Sequence, residues 1–195
     1  MNDRLDAFTA ILLPRSVARL LEGAAQIGVA TADSTNDPVY LPIQEFLAQV
    51  RTVFRMDVAF VSEFAQDQRI FRVVSAAVDD PGIRVGEGDP TLDTYCRMVV
   101  EDRLDRCVPD TAASPAAGMA VTRRLRIGAY LAATIRLTGG QVFGTLCCYS
   151  HTARLDLQDK DADILQVLAD AVAASVDKHG DLRQRVWLGA PAADS

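Results

Sequence analysis

The chain has 195 residues, enough for one domain with extensions, and it is 49% hydrophobic and 24% charged. That ordinary globular balance excludes disorder along the whole length. Twenty basic against 26 acidic residues leave a net charge of −6, a field that repels polyanions and argues against nucleic acid as a partner.

Apolar runs such as Ala10 to Pro14 are too short to span a bilayer, so no membrane partner is expected. Asp3 near the start and Arg15 beside the first apolar stretch argue against a secretory signal. The expected location is the cytoplasm.

Residues 1–30 read as helical, with Leu5, Phe8 and Leu12 on one stripe and Val17, Leu20, Leu21 and Ala24 on another. Pro14 opens a second helix or kinks one long one. Residues 31–38 are rich in turn formers and read as a linker. After Pro42, the residues Ile43, Phe46, Leu47, Val50, Val53 and Phe54 recur at helical spacing. The period then shortens. Val58, Phe60 and Phe64 alternate with Ala59, Val61 and Glu63, and Ile70–Val74 is a second β-rich run, which together predict a hairpin. Gly82, Gly86 and Gly88 mark a loop. Asp89-Pro90 reads as a helix start, with Asp as N-cap and Pro in the first turn, leading into Leu92, Tyr95, Cys96 and Val99. A short strand at Cys107-Val108 ends at Pro109-Asp110, and a small-residue loop with a short helix runs to Arg126.

Two further strands, Ala129–Leu137 and Val142–Ser150, flank Thr138-Gly139-Gly140-Gln141, a hairpin turn. A long helix closes the pattern. Asp156 and Asp159 sit at its start, and Ile164, Val167, Leu168, Ala171, Val172, Ser175 and Val176 form its apolar stripe, opposite Asp163, Asp170 and Asp177. It is expected to run on toward Trp187. The division expected is a helical extension and linker over 1–40, a domain over 41–180, and a helix end and tail over 181–195. The fold class is α+β: a central antiparallel sheet of five to six strands, with N- and C-terminal helices on one face and pocket-forming loops and a helix on the other.

Four cysteines occur, Cys96, Cys107, Cys147 and Cys148, with no C-x-x-C pair, so zinc-ribbon and thioredoxin-like readings lose their support and no metal site is expected. Cys147 and Cys148, adjacent in a strand, point to opposite faces.

Over residues 43–177 the chain resembles the GAF domains of bacterial signalling proteins. Thr94-Tyr95-Cys96 is similar to the family's aromatic-Cys helix start, and Cys107-Val108-Pro109-Asp110-Thr111 to its strand end. Tyr130-Leu131 through Ile135, Gly144-Thr145-Leu146-Cys147, and Arg154-Leu155 with Gln158 and Leu165 resemble three later segments in order. Thr134 stands where Pro is usual, Thr111 where Ala is usual, and Ser114 and Ser150 where Asp is common.

The resemblance implies a sensory module that binds an unidentified small molecule, dimerises through its terminal helices, or does both, and so regulates a signalling partner in trans, since 195 residues leave no room for a separate output domain. The implied pocket candidates are Tyr95, Cys96, Asp110, Tyr130, Cys147 and Cys148, with Arg123, Arg124 and Arg126 as candidate anion contacts, partly offset by Glu101, Asp102 and Asp105. No catalytic residue is assigned and the cofactor is unknown. The alternative is a thiol-dependent reductase of the free methionine sulfoxide reductase type, with Cys96 or Cys107 as nucleophile. Asp89, Asp93 and Asp110 could suggest paired-carboxylate chemistry, but Asp89 reads better as a cap and Asp110 as a turn residue. Bilin attachment lacks the Cys-His pair, haem has only His151 as a reasonable ligand, and the family's cyclic-nucleotide motif is absent, Asn occurring only as Asn2 and Asn36.

Overall fold

A computed structural model describes residues 40–78 and 81–179. The expected helices of residues 1–30, the linker, the helix end near Trp187 and the tail lie outside the described residues.

The first described helix, α1, spans Tyr40–Val53 and begins before Pro42 rather than after it. A proline is tolerated in a first turn because the N–H it lacks would have no intrahelical partner there. Phe46, Leu47 and Val50 are buried along one face, with Phe54 just beyond the helix; the side chain of Ile43 lies outside the described residues. Strands β1 (Val58–Ala65) and β2 (Gln68–Ala76) form the expected hairpin. Gln66 and Asp67 both take positive φ, 51° and 63°, the twist that a two-residue hairpin turn requires.

Asp89-Pro90 does not open a helix. Gly88–Pro90 is a third strand, β3, pairing antiparallel with β2 so that Asp89 lies opposite Arg69. The cap of helix α2 (Tyr95–Val100) is Thr94, whose Oγ1 accepts the N–H of Arg97 at 3.2 Å. The cap signature at Asp89 was thus a cross-strand charge pair, and Leu92 is exposed rather than part of the helix face.

Beyond it come β4 (Cys107–Val108), α3 (Ala120–Leu125), β5 (Ala129–Arg136), β6 (Val142–Ser150) and α4 (Asp159–His179). The β5–β6 turn closes as expected, with Gly140 at φ 82° and its N–H bonded to the Leu137 carbonyl at 2.8 Å. Helix α4 starts at Asp159; Asp156 instead pairs with Arg154 at 2.8 Å, and Leu155 is exposed.

The six strands make one antiparallel sheet in the order β3-β2-β1-β6-β5-β4. Both faces are covered, so β1 and β6 read as nearly continuous buried runs. On one face α1 and α4 pack against Ala59, Val61, Val73, Leu131, Leu146 and Cys148. On the other, α2, α3 and the loops enclose Phe60, Phe71, Tyr95, Cys96, Tyr130, Cys147 and Tyr149. The buried face of α4 centres on Leu165, Leu168, Ala169, Val172 and Val176. The expected stripe is therefore turned partly outward: Ile164 and Ala171 are half-buried and Val167 is 51% exposed.

Candidate functional site

The sheet face beneath α2 carries a buried polar cluster. Alternation along the strands places Ser62 of β1, Arg69 of β2, Tyr130 of β5, and Thr145 and Cys147 of β6 on this face, and α2 sets Cys96 against them. Cys96 and Cys147 are fully buried, Tyr130 is 1% exposed and Arg69 2%. The Cys96 Sγ lies 3.8 Å from the Cys147 Sγ, 3.4 Å from the Tyr130 hydroxyl and 3.5 Å from Arg69 Nη1, which donates to it. The Tyr130 hydroxyl donates to the Cys147 Sγ at 3.0 Å. The Ser62 hydroxyl approaches Cys96 to 3.9 Å and bonds the Thr145 hydroxyl at 2.9 Å.

Aromatic packing fixes this geometry. The Tyr95 and Tyr130 rings meet edge to face at 4.9 Å, and the Tyr95 hydroxyl bonds Thr122 of α3 at 2.6 Å. The Arg69 guanidinium lies 4.4 Å from the Phe71 ring centroid and 5.8 Å from that of Phe60, a favourable placement for a desolvated cation. Its other end pairs with Asp89, which also holds Arg124 at 2.7 Å. The result is a file of charge from the buried thiol through Arg69 and Asp89 to an exposed arginine on α3.

The electrostatics divide the two thiols. Burial by itself would raise Cys96, but the hydrogen bond from Cys147 and the adjoining Arg69 charge outweigh it and hold Cys96 well below the usual thiol range. Burial pushes Cys147 well up, reinforced by the Cys96 charge beside it. Burial and the two sulfurs likewise push Tyr130 well up. The two shifts run in opposite directions: Cys96, beside Arg69, is the more acidic thiol, and Cys147 holds its proton more tightly.

The remaining sequence candidates lie elsewhere. Cys148 faces the α1/α4 layer, where burial raises its pKa. Cys107 belongs to the same layer and is pushed up to about 11 by burial and by Asp159, Asp161 and Asp105. Asp110 accepts the Ala112 N–H at 2.9 Å and lines an open cavity of about 540 Å³ beside the edge strand β4, together with Arg103, Asp105 and Ser114. The side chain of Asp93 lies outside the described residues. Arg123, Arg124 and Arg126 are exposed. Arg123 donates to the Gly118 carbonyl at 3.0 Å, Arg124 pairs with Asp89, and Arg126 ends α3 with φ 50°. Of the acids expected to offset them, Glu101 pairs instead with Arg97 and Arg103. His151 Nδ1 lies 3.2 Å from the Arg126 carbonyl oxygen. Among the described residues no cluster of His, Cys, Asp and Glu could hold a metal ion.

The positions that depart from the family pattern have local reasons. The Thr134 N–H donates to Gln166 Oε1 at 3.2 Å while Gln166 Nε2 returns a bond to the Thr134 carbonyl at 2.9 Å, a clamp from α4 that proline could not complete. The Thr111 hydroxyl donates to the Ile127 carbonyl at 2.5 Å. Ser114 accepts the Ala116 N–H at 3.2 Å, and the Ser150 hydroxyl donates to Asp57 at 3.0 Å.

Arg69 is the residue that sequence reasoning missed. Its signal was a cation, one of two arginines, set among the apolar residues of a β-rich run, Gln68-Arg-Ile-Phe-Arg-Val73. Arg72 in the same strand is the extra residue of a bulge at Val61/Ser62 and pairs with the buried Glu63 at 2.7 Å.

Solved structures with this fold include the phycoerythrobilin-bound GAF domain of a cyanobacterial phytochrome (13% identity, TM-score 0.63, covering 82% of this chain and 95% of that one). A putative GAF sensor protein from Burkholderia vietnamiensis is similar at 15% identity and TM-score 0.63, over 85% and 99%. A free methionine-R-sulfoxide reductase from Neisseria meningitidis, in complex with its substrate, is similar at 16% identity and TM-score 0.60, over 84% and 91%. At these identities the likeness establishes the fold alone. A search of curated protein sequences gives no match. The family model for the GAF domain matches residues 43–176, more than half of the chain, and the protein therefore belongs to the GAF domain family.

Proposed function

We propose that the chain is a non-catalytic, cytoplasmic sensory GAF domain that receives a small-molecule signal and, as a homodimer through its terminal helices, regulates a signalling protein in trans. The observation that carries this reading is closure of the face beneath α2. Tyr95, Cys96, Tyr130, Cys147, Phe60 and Phe71 fill it, each 2% exposed or less. A thiol sealed in this way has no room to meet a substrate the size of an amino acid, which an enzyme of the reductase type must admit. The open cavity beside β4, with Asp110 at its wall, offers space for a small ligand. The outward strip of α4 at Ile164, Val167 and Ala171 supports pairing with a second copy, because an apolar helix strip is stabilised by leaving water. No described helix is long and apolar enough to cross a membrane.

The second reading, a thiol-dependent reductase, draws on one observation, the low-pKa Cys96 beside Arg69. Native mass spectrometry of freshly purified protein tests the first reading. It should give a dimer mass, with any co-purified small molecule visible as an added mass. A monomer at high concentration carrying no added mass would remove both supports.

A further inference from the structure

The regulatory reading leaves the input unnamed, and the cluster beneath α2 suggests its chemistry. We propose that Cys96 and Cys147 are an oxidation site: a small peroxide converts them to an intrachain disulfide, and this covalent change is the signal the domain transmits. The inference rests on the regulatory reading for its purpose but not for its chemistry.

The two sulfurs are already in contact at 3.8 Å. A disulfide needs about 2.05 Å, a closure of the size that side-chain rotation and a small shift of α2 supply. The other thiols cannot compete. Cys148 is next in sequence to Cys147 but lies in the opposite layer, as does Cys107. The pair is also asymmetric in the way the chemistry needs. Cys96 has a guanidinium donor at 3.5 Å to support a thiolate, whereas the donor on Cys147 is the neutral Tyr130 hydroxyl at 3.0 Å. Arg69 adds a second, independent observation: its Nε is buried and has no hydrogen-bond partner. An unpaired buried donor is costly, and the same guanidinium already offers Nη1 to the Cys96 Sγ, where it would meet an oxygen atom added to that sulfur.

The Cys96 thiolate attacks one peroxide oxygen; an S–O bond forms, the O–O bond breaks, and the departing hydroxide takes a proton from solvent to leave as water. Cys147 then attacks the Cys96 sulfur of the resulting sulfenic acid. The S–S bond forms, the S–O bond breaks, and the hydroxyl leaves as a second water with the Cys147 proton. Two thiols are oxidised and one peroxide is reduced. Full burial of Cys96 restricts the oxidant to molecules near the size of water, entering by brief opening of the α2 face. Oxidation removes the thiolate charge facing Arg69. Asp89 is then the remaining partner of that cation, and Asp89 also holds the exposed Arg124. A buried redox change is thus coupled to the surface of α3.

The test is treatment of the full chain with excess hydrogen peroxide, alkylation in denaturant, and non-reducing peptide mapping. The expected product is one crosslink joining the Cys96 and Cys147 peptides, with loss of two hydrogens from the intact mass, reversed by dithiothreitol. In Cys147→Ser, oxidation should stop at a Cys96 sulfenic acid that dimedone labels. Should that variant not fold, competition of dimedone with disulfide formation in the unaltered protein reads the same intermediate. A crosslink through Cys107 or Cys148, stable oxygen addition without a crosslink, or four free thiols after prolonged exposure would overturn the proposal. The two readings fail separately. A crosslink in a protein that also turns over methionine sulfoxide sinks the non-catalytic reading and keeps the pair. A dimer without turnover and without a crosslink does the reverse.

Discussion

Replacing Arg69 with leucine tests how the buried cluster is held. Arg69 is 2% exposed and joins three groups: it pairs with Asp89, donates to Cys96 at 3.5 Å, and lies 4.4 Å from the Phe71 ring centroid. Removing one partner of a buried ion pair costs about 3–5 kcal/mol. Asp89 is 22% exposed on its side chain and keeps Arg124 at 2.7 Å, which puts the loss at the low end. The lost cation–π contact adds about 1 kcal/mol, and leucine, which carries no charge to desolvate, offsets a similar amount. The expected destabilisation is therefore about 3 kcal/mol. With a urea slope of about 1–3 kcal/mol per molar, the unfolding midpoint should fall by about 1 M or more.

A second readout separates electrostatics from packing. The groups facing Cys96 are Arg69 from β2, Cys147 and Thr145 from β6, Tyr130 from β5, and Ser62 from β1. Only Arg69 brings a positive charge, so the ultraviolet absorbance of the thiolate should persist below the usual thiol range in the unaltered protein and retreat to higher pH in Arg69→Leu. Since folding depresses this pKa, the associated stability is present above the unfolded thiol's pKa and is lost as pH falls through the folded one. An Arg69→Leu protein within about 0.5 kcal/mol of the parent, with an unchanged thiolate titration, would refute the reasoning.

Cys107 should behave in the opposite sense. Its folded pKa is raised from 9.0 to about 11, so its contribution is complete below pH 9 and is lost as pH rises through 11; Cys107→Ala should flatten that part of the stability profile in urea titrations at stepped pH. Gln166→Ala deletes both bonds to the Thr134 backbone, 3.2 and 2.9 Å long, and should cost about 1–2 kcal/mol, read as a lower thermal midpoint. In Gly144→Ala the new Cβ would stand 1.9 Å from the Ser62 carbonyl oxygen. A backbone atom cannot swing aside as a side chain can, so at least about 3 kcal/mol should be lost and soluble yield should collapse.

The strands were legible where packing and local pattern agree. The alternation from Val58 and the small-residue turn at Gly139-Gly140 lead directly to β1, β5 and β6. The misreading at Asp89-Pro90 came from a local rule. An acid before proline is a good helix start, but here the partner that decides its role, Arg69, is twenty residues away and across a strand pair. The stripe on α4 was rotated for a related reason: apolar period marks which residues could be buried, and Val167 is apolar yet half exposed. Within the site, the separation of Cys147 and Cys148 onto opposite faces follows from strand geometry alone. The contact of Cys96 with Cys147 does not. It depends on how α2 sits over β6, 51 residues away in the chain, and no spacing rule carries that information.

We propose that the closed thiol site serves regulation rather than turnover. The most direct measurement is product formed per chain from free methionine sulfoxide with dithiothreitol in excess. No product above a protein-free control is expected, with the disulfide chemistry confined to the chain's own Cys96 and Cys147. Sustained formation of many equivalents of methionine per chain, abolished in Cys96→Ser, would contradict it.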